Sequence, residues 1–187
     1  NGNRIFSGIN LIVKKSTILG VVGNNGSGKT TLLKIVAGII NSDTGNINLN
    51  ANIKLDFLGH ENMLYQNFSI SENIDFFSDI SGFRISSELQ DEIEKALGLQ
   101  NILGKKISDL SYGQRKKASM LRSLISSPDL LVLDEPFSNL DSESTDSFIS
   151  ILKTLKKENK SVIISSNRKD VVGLVSDDLL NMDDYNE

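Results

Sequence analysis

The chain has 187 residues, 39% of them hydrophobic and 24% charged, with a net charge of −4 and no cysteine, which suits one packed domain with a smaller lobe better than two independent domains. The acidic balance argues against a broad nucleic-acid surface, and the lack of cysteine excludes disulfides and thiolate metal sites. No stretch approaches the roughly twenty apolar residues needed to cross a bilayer, and no basic-then-apolar leader opens the chain, so a soluble, cytosolic protein without a nucleic-acid partner is expected.

In chain order, Arg4 to Val13 alternates in part and predicts a strand or hairpin entry. Ile18 to Val22 predicts a buried strand, followed by a loop and a helix that ends near Gly38. Ser42-Asp43-Thr44-Gly45 predicts a turn, and Ile47 to Leu49 and Ile53 to Leu58 predict strands. Helical spacing begins after Ser69-Ile70-Ser71-Glu72, a capping-type arrangement, and a second helix is expected from Ser87 to Leu97. The basic triplet Arg115-Lys116-Lys117 is expected on a solvated helix face. Leu130 to Leu133 predicts a strand, then comes a helix with Phe148, Ile149, Leu152 and Leu155 on one face, then a strand at Val162 to Ile164. Strands alternating with helices predict a parallel sheet with helices on its faces. The expected layout is one domain, with residues 1–67 and 128–187 as a core lobe and residues 68–127 as a helical subdomain.

The residues with the clearest chemistry are Gly23-Asn24-Asn25-Gly26-Ser27-Gly28-Lys29-Thr30, a phosphate loop of the form G-x-x-x-x-G-K-[ST] placed between a strand and a helix. A triphosphate needs many backbone N–H donors and a cation, because its charge is spread over several oxygens. Glycines at 23, 26 and 28 allow that close approach, Lys29 can reach the β- and γ-phosphates, and Thr30 can ligate Mg²⁺, with Thr31 beginning the helix. Asp134 and Glu135 end an apolar strand, where ligands collect in open α/β sheets. From that place Asp134 can hold Mg²⁺ through water, and Glu135 can orient or deprotonate an attacking water.

Leu110-Ser111-Tyr112-Gly113-Gln114, then Leu130 to Pro136, then Ser138-Asn139-Leu140-Asp141, resembles the signature, Walker B and D-loop of the ATP-binding cassette (ABC) ATPases. The resemblance covers almost the whole chain. It implies a P-loop NTPase with a parallel-sheet core, an N-terminal antiparallel β subdomain and a helical subdomain inserted before the signature. It also implies ATP and Mg²⁺ as ligands and a head-to-tail dimer of two cassettes, with a homodimer as the expectation. Ser111 and the Gly113 N–H would contact the γ-phosphate bound by Lys29 of the partner cassette. Membrane-spanning partners would be separate chains, which would hold the protein at the cytoplasmic face of the inner membrane.

Two positions depart from the family pattern. His60 stands where a coupling glutamine is usual, with Gln66 nearby as a substitute, and imidazole suits Mg²⁺ poorly. Asn167 stands where a switch histidine is usual, and it can donate a hydrogen bond but cannot take up and pass on a proton. The adenine-stacking aromatic would precede Arg4, which leaves Phe6 as core. Short matches at Arg4 to Ile9, Phe57 to His60 and Ser71 to Phe77 look like the haem-exporter ATPases of cytochrome c maturation (CcmA type). The resemblance thus implies an ATPase driving export, with a low-turnover nucleotide-gated module or a different exporter as alternatives.

Overall fold

The computed structural model describes residues 5–59 and 63–185. Their contacts form two compact units. The first gathers the described residues of Asn1–Gly59, Asp129–Ser138 and Leu152–Glu187, and the second those of His60–Pro128 and Asn139–Ile151.

The first unit contains β1 (Ile18–Val22), α1 (Lys29–Val36), β2 (Leu55–Leu58), β3 (Leu130–Asp134), β4 (Ser161–Ser166), α6 (Lys169–Gly173) and β5 (Asp178–Asn181). The strands form one parallel sheet in the order β2-β3-β4-β1-β5. β1, β3 and β4 are buried along their whole length, as their unbroken apolar runs require of parallel strands covered on both faces. Leu19, Val21, Leu33, Val132, Ile163 and Met182 are among the residues of the main core cluster. Register then sets the chemistry. Asp134 lies beside Ser165, and Val22 lies beside both Ser166 and Asn181, so four strands end along one edge.

The expected strands at Arg4 to Val13 and Ile47 to Leu49 are not formed: the described residues 5–14 and 46–50 belong to no strand. The strand expected at Ile53 to Leu58 shortens to β2. The antiparallel β subdomain is therefore absent as a hydrogen-bonded ladder among the described residues. The reason is visible in the packing. Phe6, Ile9, Leu11 and Val13 rest half-buried on the core while Asn10 and Ile12 face outward, so the alternating pattern is satisfied by side-chain burial without ladder pairing. Ile47 and Leu49 are exposed and have no such anchor.

The second unit is helical, with α2 (Ile70–Ser81), α3 (Ser87–Ala96), α4 (Tyr112–Ile125) and the first ten residues of α5 (Ser142–Lys157). α2 opens with the expected capping box: the Ser69 hydroxyl accepts from the Glu72 N–H at 3.2 Å, and the Glu72 carboxylate accepts from the Ser69 N–H at 2.7 Å. α2 and α3 both pack on α4. In α4, Ala118, Met120, Leu121, Leu124 and Ile125 are buried, a band wide enough to make it the central helix of this unit. The basic triplet does not lie on a solvated face, since Lys116 is buried and Arg115 and Lys117 are half-buried. The predicted apolar face of α5 is buried at Phe148, Ile149, Leu152 and Leu155. Among the described residues, no helix is long and apolar enough to cross a membrane.

Candidate nucleotide-binding and catalytic site

The loop between β1 and α1 is shaped by glycine. Gly23 has φ +151°, and a Cβ there would lie 2.6 Å from the Ser27 Oγ and 3.1 Å from the Met182 Cβ. Gly28 has φ +90° and caps α1, with a Cβ blocked at 2.7 Å by the Phe6 ring. Any side chain at either position strains the turn and fills the cradle. Phe6 thus closes the outside of the loop while resting half-buried on the core.

Lys29 reaches back into this loop. Its Nζ donates to the carbonyls of Gly23 and Asn24, each at 3.0 Å, and lies 3.9 Å from the Glu135 Oε1. An ammonium that is 7% exposed needs such oxygens around it, because burying it without them costs several kcal/mol, on the order of the penalty for an unpaired interior ion. An incoming phosphate can take over these contacts, since it offers the same cation stronger acceptors. The Asn24 N–H donates to the Asp183 Oδ1 at 2.9 Å, and Lys169 lies 3.8 Å from the other oxygen of that carboxylate, so the turn after β5 tethers the start of the loop.

Next to the loop stand the two acids. The Thr30 hydroxyl on α1 donates to the Asp134 Oδ2 at 2.8 Å. The other oxygen of Asp134 accepts from the Ser165 hydroxyl at 2.6 Å. Glu135 has a left-handed backbone, φ +50°, a costly conformation for a side chain of this length. It is held there from both sides. Its N–H donates to the Ser165 carbonyl at 3.2 Å and Oγ at 2.9 Å, while its carbonyl accepts from the Ser138 N–H and hydroxyl at 3.2 and 3.0 Å. Its Oε2 accepts from the Ser166 hydroxyl at 3.2 Å. The bent backbone turns the Glu135 carboxylate toward Lys29.

This donor set fits a nucleotide carrying Mg²⁺. Thr30 and Asp134 offer two hard oxygen ligands side by side, and Mg²⁺ commonly takes one or two protein oxygens with phosphates and water supplying the rest. No three His, Cys, Asp or Glu side chains gather into a metal cage among the described residues, as that division of ligands allows.

The signature segment, in the second unit, is built differently. Ser111 caps α4 with a second capping box: its Oγ accepts from the Gln114 N–H at 3.2 Å and the Gln114 Oε1 accepts from the Ser111 N–H at 3.0 Å. Leu110 is buried and anchors the turn, while Ser111 and Tyr112 are exposed and Gly113 is half-exposed. Asp141 caps α5, accepting from the Ser144 N–H at 2.7 Å, with Lys117 at 3.9 Å from its other oxygen. The Ser144 N–H, then its side chain, then Lys117, hold the Asp141 carboxyl below the usual carboxylate range.

Asn167 follows β4 and is exposed, and Arg168 lies 3.9 Å from Asp170. His60 lies outside the described residues. The structure therefore brings Lys29, Thr30, Asp134 and Glu135 together. Ser165, Ser166 and Asp183 join them unforeseen: two hydroxyls ending an apolar strand are a weak signal, and an aspartate far along the chain gives none.

Comparison with known proteins settles the family. The sequence profile described as ABC transporter matches residues 6–138. The chain belongs to the ABC transporter family. This cassette is 33% identical over 180 residues to an uncharacterized ABC transporter ATP-binding protein of Methanocaldococcus jannaschii, covering 95% of this chain and 68% of that one. It is 35% identical over 175 residues to the zinc import ATP-binding protein ZnuC of Wolbachia pipientis, covering 89% and 69%. Among solved structures it resembles a dimeric, post-hydrolysis ATP-binding cassette bound to ADP and Pi, with a TM-score of 0.79 at 21% identity over 95% of this chain and 85% of that one. That likeness shows the fold: a P-loop NTPase cassette with a parallel-sheet core and helices. Neither relative is named for haem export.

Proposed function

We propose that this cassette binds and hydrolyses ATP as the motor subunit of a membrane transporter and works as a pair of identical cassettes. The observation that carries the reading is the junction of Lys29, Thr30, Asp134 and Glu135 at the end of the phosphate loop. Residues 23–31 cradle the phosphates through backbone N–H groups, and Lys29 leaves the loop carbonyls for the β- and γ-phosphates. Thr30 would hold Mg²⁺ directly and Asp134 through water, and the bound metal would supply charge neutralisation on the transferred phosphoryl group. Glu135 orients the attacking water and accepts its proton, and Asn167 donates a hydrogen bond at the position of the switch residue.

Ser111 already accepts a bond from Gln114, so its hydroxyl hydrogen points to use elsewhere. In a head-to-tail pair it and the Gly113 N–H meet the γ-phosphate held by the other copy, and Asp141 fixes the turn beside them. Separate membrane-spanning subunits then dock this protein at the cytoplasmic face of the inner membrane, with the coupling position at His60. Export of haem for cytochrome c maturation is the cargo reading that the short segments Phe57 to His60 and Ser71 to Phe77 support.

The test is gel filtration with and without ATP-Mg²⁺ for the wild type and for Glu135→Gln, together with phosphate release. ATP-dependent dimers that persist in Glu135→Gln and disperse in the wild type support the motor. Turnover that survives Glu135→Gln removes the assigned role. Co-purification with the membrane subunits of a haem exporter decides the cargo.

A further inference from the structure

Two consecutive hydroxyls end β4, and each bridges an acid of the site to a backbone N–H. Ser165 donates to Asp134 and accepts from the Glu135 N–H. Ser166 donates to the Glu135 Oε2 at 3.2 Å and accepts from the Arg168 N–H at 3.1 Å. Ser166 is fully buried, and it stands in register with Val22, the last strand residue before the phosphate loop. A serine hydroxyl has one hydrogen, so these two bonds share one orientation. When its hydrogen points at Glu135, its lone pairs point away, toward the Arg168 N–H.

We propose that Ser166 is a positioning residue that couples the Glu135 carboxylate to the backbone of the loop carrying Asn167. A change in that loop's backbone then moves the hydroxyl, and the hydroxyl moves the carboxylate. The loop can thereby set the aim of Glu135 through its backbone, by a route that needs no titrating side chain at position 167. The inference rests on the reading of Glu135 as the water-orienting group.

The first experiment needs no nucleotide. Amide exchange at Arg168, followed by NMR, should speed up about 5-fold or more in Ser166→Ala, since the N–H loses its acceptor. It should also speed up in Glu135→Ala, which removes the acceptor of the Ser166 hydroxyl, and stay slow in Glu135→Gln, whose amide oxygen still accepts from Ser166. Exchange at Arg168 that is unchanged in Glu135→Ala overturns the coupling. The second experiment measures turnover. Ser166→Ala should lower kcat about 10-fold, the size of one lost bond to a charged group, with KM for ATP within about 2-fold. Ser166→Thr should restore kcat, and Ser166→Val should not. A raised KM, or failure of Thr to rescue, overturns the positioning role. Turnover that survives Glu135→Gln sinks the reading of Glu135 itself and leaves the exchange result to decide the coupling separately.

Discussion

The phosphate-loop side and the signature side of this cassette place their polar groups in opposite ways. Around Lys29 the groups answer one another over long sequence separations, from the buried bond of Ser165 to Asp134 and the part-buried one of Thr30 to Asp134 to the exposed one of Asn24 to Asp183. Around Ser111 they are exposed, and their partners are three residues away. A buried network holds its shape only if the whole sheet edge is in place, whereas a capping box forms with the first turn of its helix. The first side is thus preassembled by the sheet and the second is a self-contained tip. That division suits a site closed by a second copy.

The contrast is broken most strongly at Lys29. Lys29→Ala removes the buried cation from Glu135 and two carbonyls, and ATP affinity should fall about 100-fold or more, read by titration with a fluorescent analogue. Equal binding by the variant would mean that the loop's N–H groups carry the affinity alone.

Ser111 separates capping from recognition. Ser111→Asp keeps an oxygen for the Gln114 N–H, so the melting temperature should stay within about 2 °C, but it sets a negative charge against the partner's γ-phosphate. Turnover and ATP-driven dimerisation should be lost by about 100-fold. Ser111→Ala should instead cost about 1 kcal/mol of stability and reduce turnover less. If both substitutions changed only stability, the signature would be a helix cap and nothing more.

These outcomes bear on what could be read from residue order. The loop, the capping box at Ser69 and the strands β1, β3 and β4 were legible because each is local: a spacing, a cap pair, or an unbroken apolar run, whereas the capping box at Ser111 was read only as part of the signature. The N-terminal segment misled because Phe6, Ile9, Leu11 and Val13 have a strand's periodicity, and periodicity records burial while saying nothing of ladder partners. Ser165, Ser166 and Asp183 were invisible for a related reason. Their value lies in register and in contacts across roughly 30 to 160 positions, which a one-dimensional pattern does not carry.

Asn167→His is a smaller test of the loop after β4. If a histidine there adds a proton-carrying contact, turnover should rise by about 3- to 10-fold near neutral pH. An unchanged rate would fit control of Glu135 through the backbone and Ser166.

The smallest expected effect is on acid stability, and it distinguishes long-range from local structure. Asp177 is held below the usual carboxylate range first by the Lys156 side chain and then by the Ile18 N–H at the start of β1. Asp129 is lowered first by the Lys54 N–H, beside the start of β2, with Lys160 adding to it. A carboxyl with a lowered pKa in the folded state stabilises the fold above its unfolded pKa, and that contribution is lost as pH falls through the folded value. The sheet of the first unit should therefore melt at lower temperature as pH drops below the ordinary carboxylate range. Asp177→Asn should be less stable than the wild type at neutral pH, and the gap should close in acid. In the second unit, Glu72 is lowered first by its bond from the Ser69 N–H and then by the Ser69 side chain, so protonation there frays the first turn of α2. Fraying at a local cap should change amide exchange in that turn without moving the main transition, whereas loss of the Asp177 clamp should move the transition itself.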